Sequence, residues 1–408
     1  MQEHKNALSW RAMAEEAGTR PHPPTDVGTR IRALVAHAPL SHPPVLRVGD
    51  VRVPVLGRAR IYVCGITPYD TTHLGHAATF VWADLAARVF QLTGADVEVC
   101  RNITDVDEHL LAQARSAGVG WRALATEQTY RFENDMAELG VVHPTYEPRS
   151  FDHVDDVVSL TAELLAREKA YLRDGNVYFR AHAIHAAAGL TRQEALELAR
   201  ERGEHPDDPR KDDPLDTVIW QRSAAGEPAW PSPWGEGRPG WHAECSAMAL
   251  STFGSSLDLH IGGADLVFPH HAYESALAQS YSGVAPFARA WMHVGTVMID
   301  GKKMAKSSGN LVFVHDLIDR YGPGPLRLLL LNRPWQEPWE FEDAALDNAA
   351  AQLEELLRAS TTPERAKPVG AEVVTALLDN LDVPRALAIA AEAGGESLWD
   401  LLGFLGLR

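Results

Sequence analysis

The sequence predicts an α/β protein in which parallel strands alternate with helices. A buried-strand run at 61–64 precedes a helical stretch at 75–92 and a second strand at 96–101, which is the order and spacing of a βαβ unit. The same alternation resumes between 241 and 299. Hydrophobic residues make up 45% of the chain and charged residues 23%, which is ordinary for a globular protein and excludes a disordered one. Such units are right-handed, and in open α/β sheets ligands bind at the carboxyl ends of the strands, so a ligand site is expected there.

The 408 residues are too many for one compact core, and their composition divides them into four regions. We expect a Pro-rich N-terminal extension at 1–60, the α/β domain at 61–302, a basic loop region at 303–340 and a helical C-terminal domain at 341–408. The α/β domain carries an insertion at about 121–240. Its part after residue 171 is crowded with Pro, Gly and Asp and is expected to be irregular.

Each region has its own predicted elements. The extension is expected to contain a charged helical start and short strand-like pieces, in VLRVGDVRVPVL. After the βαβ unit, hydrophobic periodicity predicts helices at 121–139 and 154–169, a helix at 241–253, a strand at 257–261, a helix at 269–282, a strand at 290–299, and helices at 344–357 and 372–381. After residue 306 the chain is expected to be all helical.

Charge and cysteine usage exclude several classes of protein. Lys and Arg number 38 against 55 Asp and Glu, and the formal net charge of −17 argues against a broad nucleic-acid surface, although a local basic patch stays open. No apolar run approaches the roughly 20 residues that span a bilayer, and the N-terminus is charged where a signal peptide is apolar. Three separated cysteines form no disulfide framework, so we expect a cytoplasmic protein without a membrane partner. Cys100, on the apolar strand VEVC, is assigned to the core.

The first candidate site is His73-Leu74-Gly75-His76, at the turn between the first strand and its helix. Gly75 lets the backbone approach a nucleotide closely, while the helix N-terminus and two imidazoles offer donors to phosphate oxygens. Taken alone this motif is a weak signal, because two histidines that cap an ordinary helix would look the same.

The second candidate is a basic segment from Lys302 to Asn310, which follows a late strand and is bounded by glycines. Lys303 and Lys306 are three residues apart and could close on a departing pyrophosphate to neutralise its developing charge. A solvated charge run is the alternative for this segment on its own.

The third candidate is a metal site formed by Cys64, Cys245 and His270, with Glu274 nearby. His270 and Glu274 are four residues apart and therefore share one helix face, whose start Pro269 suits. Two thiolates, an imidazole and a carboxylate are ligands that zinc accepts. The spacing matches no zinc-finger pattern, so buried cysteines that only pack are the alternative.

Together, HLGH at 73–76 and KMAKS at 303–307 resemble the paired signatures of class I aminoacyl-tRNA synthetases. From about 60 to 335, the sequence further resembles the cysteinyl-tRNA synthetases. That resemblance is carried by CGIT at 64–67, NITD at 102–105, WHAEC at 241–245, HIGGAD at 260–265 and FPHH at 268–271. It implies a Rossmann-type class I aminoacyl-tRNA synthetase catalytic domain with an inserted subdomain, followed by a helical C-terminal domain.

The resemblance also implies a zinc site. One Zn²⁺ per chain would bind the substrate thiolate, with Cys64, Cys245 and His270 as ligands and Glu274 left open as a fourth. A soft metal–thiolate bond would select cysteine over serine, which a hydrophobic pocket cannot do.

The remaining motifs are implied to bind ATP and the adenylate. His73 and His76 would stabilise the phosphoryl charge, Lys303 and Lys306 would stabilise the pyrophosphate, and Mg²⁺ would accompany ATP. The cysteinyl-adenylate site would be lined by Cys64, Gly65, Ile66, Thr67, Thr79, Asn102, Ile103, Thr104 and Trp241, with Gly263, Ala264 and Asp265 near the ribose and Val297 near the adenine.

Two features set the chain apart from a tRNA synthetase. Only 101 residues follow Ser307, too few for the anticodon-reading domain of such an enzyme, and the net charge is acidic. Three segments, CGITPYDTTHLGHAATF, the loop at 201–206 and PAWPSPWGEGRPGWHAEC, resemble instead the cysteine ligases of mycothiol biosynthesis, which join cysteine to the amine of glucosaminyl-inositol. The loop differs from the Glu-Arg-Gly-Gly-Asp-Pro of these ligases at Glu204 and His205. The segment PWQEPWEFED and the longer N-terminal extension also differ from the pattern expected of these ligases.

We therefore predict an AMP-forming cysteine:amine ligase, monomeric and cytoplasmic, whose substrates are ATP, L-cysteine and an amino-sugar acceptor rather than tRNA. The acceptor amine must be neutral to attack, and a carboxylate such as Asp265 could assist. Three alternatives stay open. They are a cysteinyl-tRNA synthetase-like enzyme without the anticodon domain, a sister ligase with another amine acceptor, and an inactive paralogue that only binds ligands.

Overall fold

The structure is a computed structural model that describes residues 44–69, 72–304, 309–363 and 369–408. The predicted extension up to residue 43 and the predicted role of Lys306 lie outside the described residues. In chain order, the described strands and helices are β1 (Leu46–Val48), β2 (Val51–Val53), β3 (Arg58–Ile66), α1 (Leu74–Leu92), β4 (Asp96–Ile103), α2 (Glu108–Ala117), α3 (Trp121–Glu138), α4 (Val154–Ala166), β5 (Ala170–Arg173), β6 (Asn176–Phe179), α5 (Ile184–Ala187), α6 (Arg192–Glu201), β7 (Thr217–Arg222), β8 (Gly237–Pro239), α7 (Trp241–Phe253), β9 (Leu259–Gly263), α8 (Ala272–Ser282), β10 (Trp291–Val294), β11 (Val297–Ile299), β12 (Lys302–Lys303), α9 (Val314–Tyr321), α10 (Pro323–Leu331), β13 (Trp339–Glu340), α11 (Asp343–Ser360), α12 (Gly370–Leu378), α13 (Val383–Ala393) and α14 (Gly395–Leu405).

A parallel sheet in the order β10-β9-β3-β4 forms the centre of the α/β domain and confirms the predicted class. Ile61 and Val63 of β3 belong to the core cluster that includes α1, whereas Tyr62 and Cys64 belong to a cluster on the opposite face with Phe253 of α7. Since successive side chains of a strand point to opposite faces, helices cover both sides of this sheet, as is usual for parallel strands. The carboxyl ends of β3, β4 and β9 are the edge at which a ligand can enter.

The insertion contains a second sheet that the sequence analysis did not predict. Its strands β5, β6, β7 and β8 pair antiparallel in that order, with Val177 opposite Trp220. The expectation of an irregular segment after 171 was therefore wrong. The hairpin of β5 and β6 had a local signal that was overlooked, the two-residue turn Asp174-Gly175 with positive φ at both residues. In contrast, β7 pairs with β6 from a distant part of the sequence, which local composition does not reveal. Leu160 of α4 and Ile219 share a core cluster with Ala243 of α7, so the insertion packs against the helix that carries Cys245.

Two predicted elements have different bounds in the structure. The strand expected at 290–299 divides at Gly295 into β10, in the parallel sheet, and β11, which pairs with β12 and β13. A Cβ added to Gly295 would lie 2.1 Å from the carbonyl oxygen of Glu337, so this close approach requires glycine. The pairing of β13 also interrupts the all-helical pattern expected after 306. The helix expected at 269–282 follows the extended backbone of Phe268: residues 269–271 form a wider helical turn that continues into α8.

One hydrophobic core joins the α/β domain to the C-terminal helices. Leu85 of α1 and Leu402 of α14 belong to the same buried cluster. Asp84 of α1 accepts a hydrogen bond from Arg88 Nε at 2.8 Å and another from Arg327 of α10, and all three side chains are buried. The boundary at 341 stays a prediction, since the core extends across it. None of the helices in the described ranges is long and apolar enough to cross a membrane.

Candidate active site and metal centre

A cavity of about 360 Å³ opens at the carboxyl ends of β3, β4 and β9, where the βαβ unit predicts a ligand. The predicted site residues that line it are Cys64, Gly65, Ile66, Thr67, His73, His76, Thr79, Asn102, Thr104, Trp241, Cys245, Gly263, Asp265, His270, Val297 and Lys303. Ile103 and Ala264 do not line it, because Ile103 is buried within β4 and Ala264 lies in the turn after β9. The fold thus brings described residues from each of the three candidate motifs to one cavity.

His73 and His76 face this cavity from the start of α1. His73 is the N-cap residue of the helix, and its Nδ1 accepts a hydrogen bond from the His76 backbone N–H at 3.4 Å. The two rings stack with their centroids 3.8 Å apart. Burial and the adjacent imidazole lower the pKa of His73 to about 2, while burial and Lys303 lower the pKa of His76 to about 4. Both rings are therefore neutral at pH 7, and each can donate an N–H to a phosphate oxygen.

Lys303 reaches the same cavity from β12, and its Nζ donates to Asp265 Oδ2 at 2.6 Å. Burial favours the neutral acid, but the Lys303 ammonium outweighs burial and holds the pKa of Asp265 below its usual value. Arg202 donates to the backbone carbonyl of Asp265. An ionised and paired carboxylate is a weak proton acceptor, so this geometry disfavours Asp265 as the base for an amine and favours a role in holding Lys303.

Four buried side chains at this cavity form a set that suits a metal ion. The candidate ligand atoms of Cys64, Cys245, His270 and Glu274 all lie within 4.8 Å of one another. Cys64 Sγ is 3.4 Å and His270 Nε2 is 3.6 Å from Glu274 Oε2. Asn102 Nδ2 donates to Cys245 Sγ at 3.2 Å. The proximity of His270 and Glu274 is the one predicted from their spacing.

The electrostatics of this set also favour a cation. Burial raises the pKa of Cys64 well above its usual value and that of Cys245 to about 11, so both thiols keep their protons unless a cation binds them. Within the described ranges, no hydrogen-bond donor reaches Glu274 Oε1, although the residue is fully buried. A buried carboxylate oxygen without a donor is costly, and a metal ion would satisfy it. The residues present therefore fit zinc.

A second group of histidines adjoins the set, and the sequence pattern predicted no role for it. The ligand atoms of His260 and His271 lie with those of Cys64 and Glu274, again within 4.8 Å of one another. His271 Nδ1 is 2.8 Å from His293 Nε2. The signal was present in HIGGAD and FPHH, but only the fold brings these segments together. Zinc binds thiolates strongly, so the set with two cysteines is the better zinc site.

His270 contacts further residues on its other side. Its Nδ1 lies 2.7 Å from Nδ1 of His242, and Nε2 of His242 lies 2.9 Å from Glu204 Oε1. Trp241 stacks on the His270 ring with centroids 4.0 Å apart. The sequence marked Glu204 as a departure from the ligase pattern, but no sequence signal predicted its contact with His242.

A second cavity, of about 250 Å³, shares Thr67, Tyr69 and Trp241 with the first. Buried Glu244 lines it, and burial raises the pKa of this carboxyl to about 8. Ser150 donates to Glu244 Oε2 at 2.5 Å, while Oε1 has no hydrogen-bond partner among the described residues. The charged residues that also line this cavity are Asp107, Glu108, Arg202, Glu204, Asp208, Arg210, Lys211 and Arg238. Such a lining offers donors and acceptors to a ligand with many hydroxyl groups.

Comparisons with known proteins agree with this geometry. A family model described as the catalytic domain of class I (C) tRNA synthetases matches residues 52–351. A protein of Mycolicibacterium vanbaalenii named L-cysteine:1D-myo-inositol 2-amino-2-deoxy-alpha-D-glucopyranoside ligase is 44% identical over 341 residues, which are 81% of this chain and 79% of that protein. The protein of that name from Acidothermus cellulolyticus is 44% identical over 340 residues, 82% of this chain and 84% of its own. The structure of Mycobacterium tuberculosis methionyl-tRNA synthetase with methionyl-adenylate has a TM-score of 0.58 at 20% identity, covers 86% of this chain and 82% of that one, and supports the fold.

Proposed function

The chain belongs to the family of class I (C) tRNA synthetase catalytic domains, and on that premise we propose that it is an ATP-dependent cysteine:amine ligase. The curated relatives are named for joining L-cysteine to an amino sugar carried by inositol. We infer the same acceptor here, the amine of glucosaminyl-inositol, and with it a place in mycothiol biosynthesis. The three cysteines are free and buried, which supports a reducing cytoplasm as the compartment.

The proposed reaction has two steps. A carboxylate oxygen of cysteine attacks the α-phosphorus of ATP, the bond from that phosphorus to the bridging oxygen breaks, and pyrophosphate leaves. The acceptor amine then attacks the carbonyl carbon of cysteinyl-adenylate, loses a proton and forms an amide, while AMP leaves. The protein forms no covalent bond in either step, so positioning and charge stabilisation carry the catalysis.

One observation carries this proposal: two cysteine thiols suited to a metal, and histidine and lysine donors suited to phosphate oxygens, line the same cavity. Cys64, Cys245 and His270 would hold one Zn²⁺, and Glu274 is close enough to complete the set. When bound, zinc supplies a soft Lewis acid that ligates the thiolate of the substrate and so distinguishes cysteine from serine. Asn102, which donates to Cys245 Sγ, would fix the orientation of that ligand.

The other residues of the cavity would act on ATP. His73 and His76 would donate neutral N–H groups to phosphate oxygens, which stabilises negative charge without competing for a proton. Lys303 would exchange its partner Asp265 for the departing pyrophosphate. Mg²⁺ would arrive with ATP and share the phosphate charge, and the nucleoside would lie toward Gly263.

The second cavity would bind the acceptor. It meets the first at Thr67, Tyr69 and Trp241, so an amine placed there can reach the carbonyl carbon of the adenylate. Its charged lining suits the hydroxyl groups of a sugar and an inositol. The loop with Glu204 and His205 contributes to this cavity, and these departures favour a sister ligase with another amine as the second candidate.

The test compares acceptors for the purified protein. Cysteine and ATP are supplied with glucosaminyl-inositol or with tRNA, and AMP release and amide formation are followed. We expect consumption of the amino sugar with little sensitivity to salt and no charging of tRNA, because a chain with a net charge of −17 opposes a polyanion. Transfer to tRNA at a rate comparable with adenylate formation would overturn the proposal. Normal pyrophosphate exchange with neither acceptor consumed would favour the sister ligase.

A further inference from the structure

We propose that Glu204 is a positioning residue for the metal ligand His270 and that it acts through His242. This inference rests on the zinc site of the proposed function and extends it to two residues that contact neither cysteine nor ATP. Together, Glu204, His242 and His270 form a continuous hydrogen-bonded chain that leads from the second cavity to the metal set.

The direction of this chain follows from the geometry. His270 Nε2 faces Glu274 and the metal set, so a ligating His270 must carry its proton on Nδ1. That proton points to Nδ1 of His242 at 2.7 Å, which must then be the acceptor. A neutral His242 therefore holds its own proton on Nε2 and donates it to Glu204 Oε1 at 2.9 Å. Because the Glu204 carboxylate can only accept hydrogen bonds, a single arrangement of protons satisfies every hydrogen bond from Glu204 through His242 to His270.

Glu204 is itself fixed in position. Thr217 Oγ1 donates to its Oε1 at 3.1 Å, and Lys211 Nζ lies 3.5 Å from its Oε2 with the lysine side chain only 4% exposed. Burial alone would favour the neutral acid, but the hydrogen bond from His242, together with Lys211 and the Thr217 hydroxyl, outweighs burial and lowers the pKa of Glu204. Because Trp241 stacks on the His270 ring, the imidazole has little freedom once this chain is formed.

The first experiment measures metal affinity rather than activity. Zinc is removed from the wild type and variants, and its return is followed by competition with a chromogenic chelator. We expect Glu204→Ala to weaken zinc binding by about tenfold to a hundredfold, the usual effect of losing such a partner. Glu204→Gln should bind zinc nearly as well as the wild type, because its amide oxygen accepts the same hydrogen bond. Glu201→Ala is the matched control, since it removes a carboxylate of the same loop whose side chain is 67% exposed.

A second experiment separates positioning from general stability. Co²⁺ in place of zinc gives a visible spectrum that reports ligand geometry, and Glu204→Ala should shift that spectrum while the far-UV circular dichroism stays unchanged. His242→Phe should weaken zinc binding as much as Glu204→Ala, and the double variant should lose no more than either single one, because both interrupt one chain.

The outcomes distinguish this inference from the proposed function. A wild type that binds no zinc contradicts the zinc site itself and, with it, this inference. A wild type that binds zinc while Glu204→Ala binds it equally well overturns only the role of Glu204. Additive losses in the double variant, or a loss in Glu201→Ala equal to that in Glu204→Ala, would also overturn it.

Discussion

Replacing Lys303 by Met should slow adenylate formation without weakening the binding of cysteine. Among the described residues that line the first cavity, Lys303 carries the only cationic side chain, since the histidines there are neutral. Loss of one donor to a developing negative charge typically lowers the rate by 100-fold to 1000-fold, or about 2.7 to 4 kcal/mol. The Lys303 side chain is 42% exposed, so water screens its charge and places the expected loss near 100-fold.

The assay is single-turnover formation of cysteinyl-adenylate, with the Michaelis constant for cysteine measured by pyrophosphate exchange. An interaction made mainly in the transition state lowers the rate of the step and leaves that constant nearly unchanged. Lys302→Met is the matched control, because the adjacent residue of the same strand points to the opposite face and is exposed. Lys303→Arg should recover part of the rate through its retained charge. Equal single-turnover rates for Lys303→Met and Lys302→Met would refute the assigned role and leave Lys303 as a solvated charge.

Four further predictions concern the metal, the substrate and the fold. Metal analysis should find no bound zinc in Cys64→Ala or Cys245→Ala, whereas Cys100→Ala, which lies outside the ligand set, should retain its zinc. A full zinc content in both of the first two variants would exclude the site. Serine should fail to support pyrophosphate exchange by the wild type, because a hydroxyl at neutral pH is a poor zinc ligand, and exchange at a rate near that of cysteine would contradict zinc-based selection. Asp84→Asn should lower the free energy of unfolding by about 3 to 5 kcal/mol in denaturant titrations, because it leaves two buried guanidinium groups without their carboxylate. The control is Asp316→Asn at an exposed aspartate, which should change the free energy of unfolding little. The charges of Arg88 and Arg327 outweigh burial and lower the pKa of Asp84. The stability that the ionised carboxylate contributes is therefore present above about pH 4 and is lost as the pH falls through the lowered pKa. An Asp84→Asn variant that loses stability in acid to the same extent as the wild type would contradict this.

Local sequence signals were sufficient for the elements that depend on periodicity. The helix predicted at 241–253 has those bounds in α7, which Gly240 and Gly254 flank, and α1 begins within one residue of its prediction. Both helices are buried on most sides, so flanking residues and the length of the apolar run mark them rather than one apolar face. The same signals placed Cys64 at the ligand-binding edge of the sheet, and the spacing of His270 and Glu274 placed those two side chains together.

Contacts between segments distant in sequence were decided only by the tertiary structure. The hairpin of β5 and β6 could have been predicted from Asp174-Gly175, but the pairing of β7 with β6 joins segments far apart in sequence. The division of the strand at Gly295 likewise depends on the backbone of Glu337 passing beside it. The chain from Glu204 through His242 to His270 joins a loop, a helix start and a kinked turn. Residue types and spacing along the chain can indicate that histidines and cysteines are available for a metal, but a hydrogen bond between imidazoles depends on orientations that only packing in three dimensions fixes.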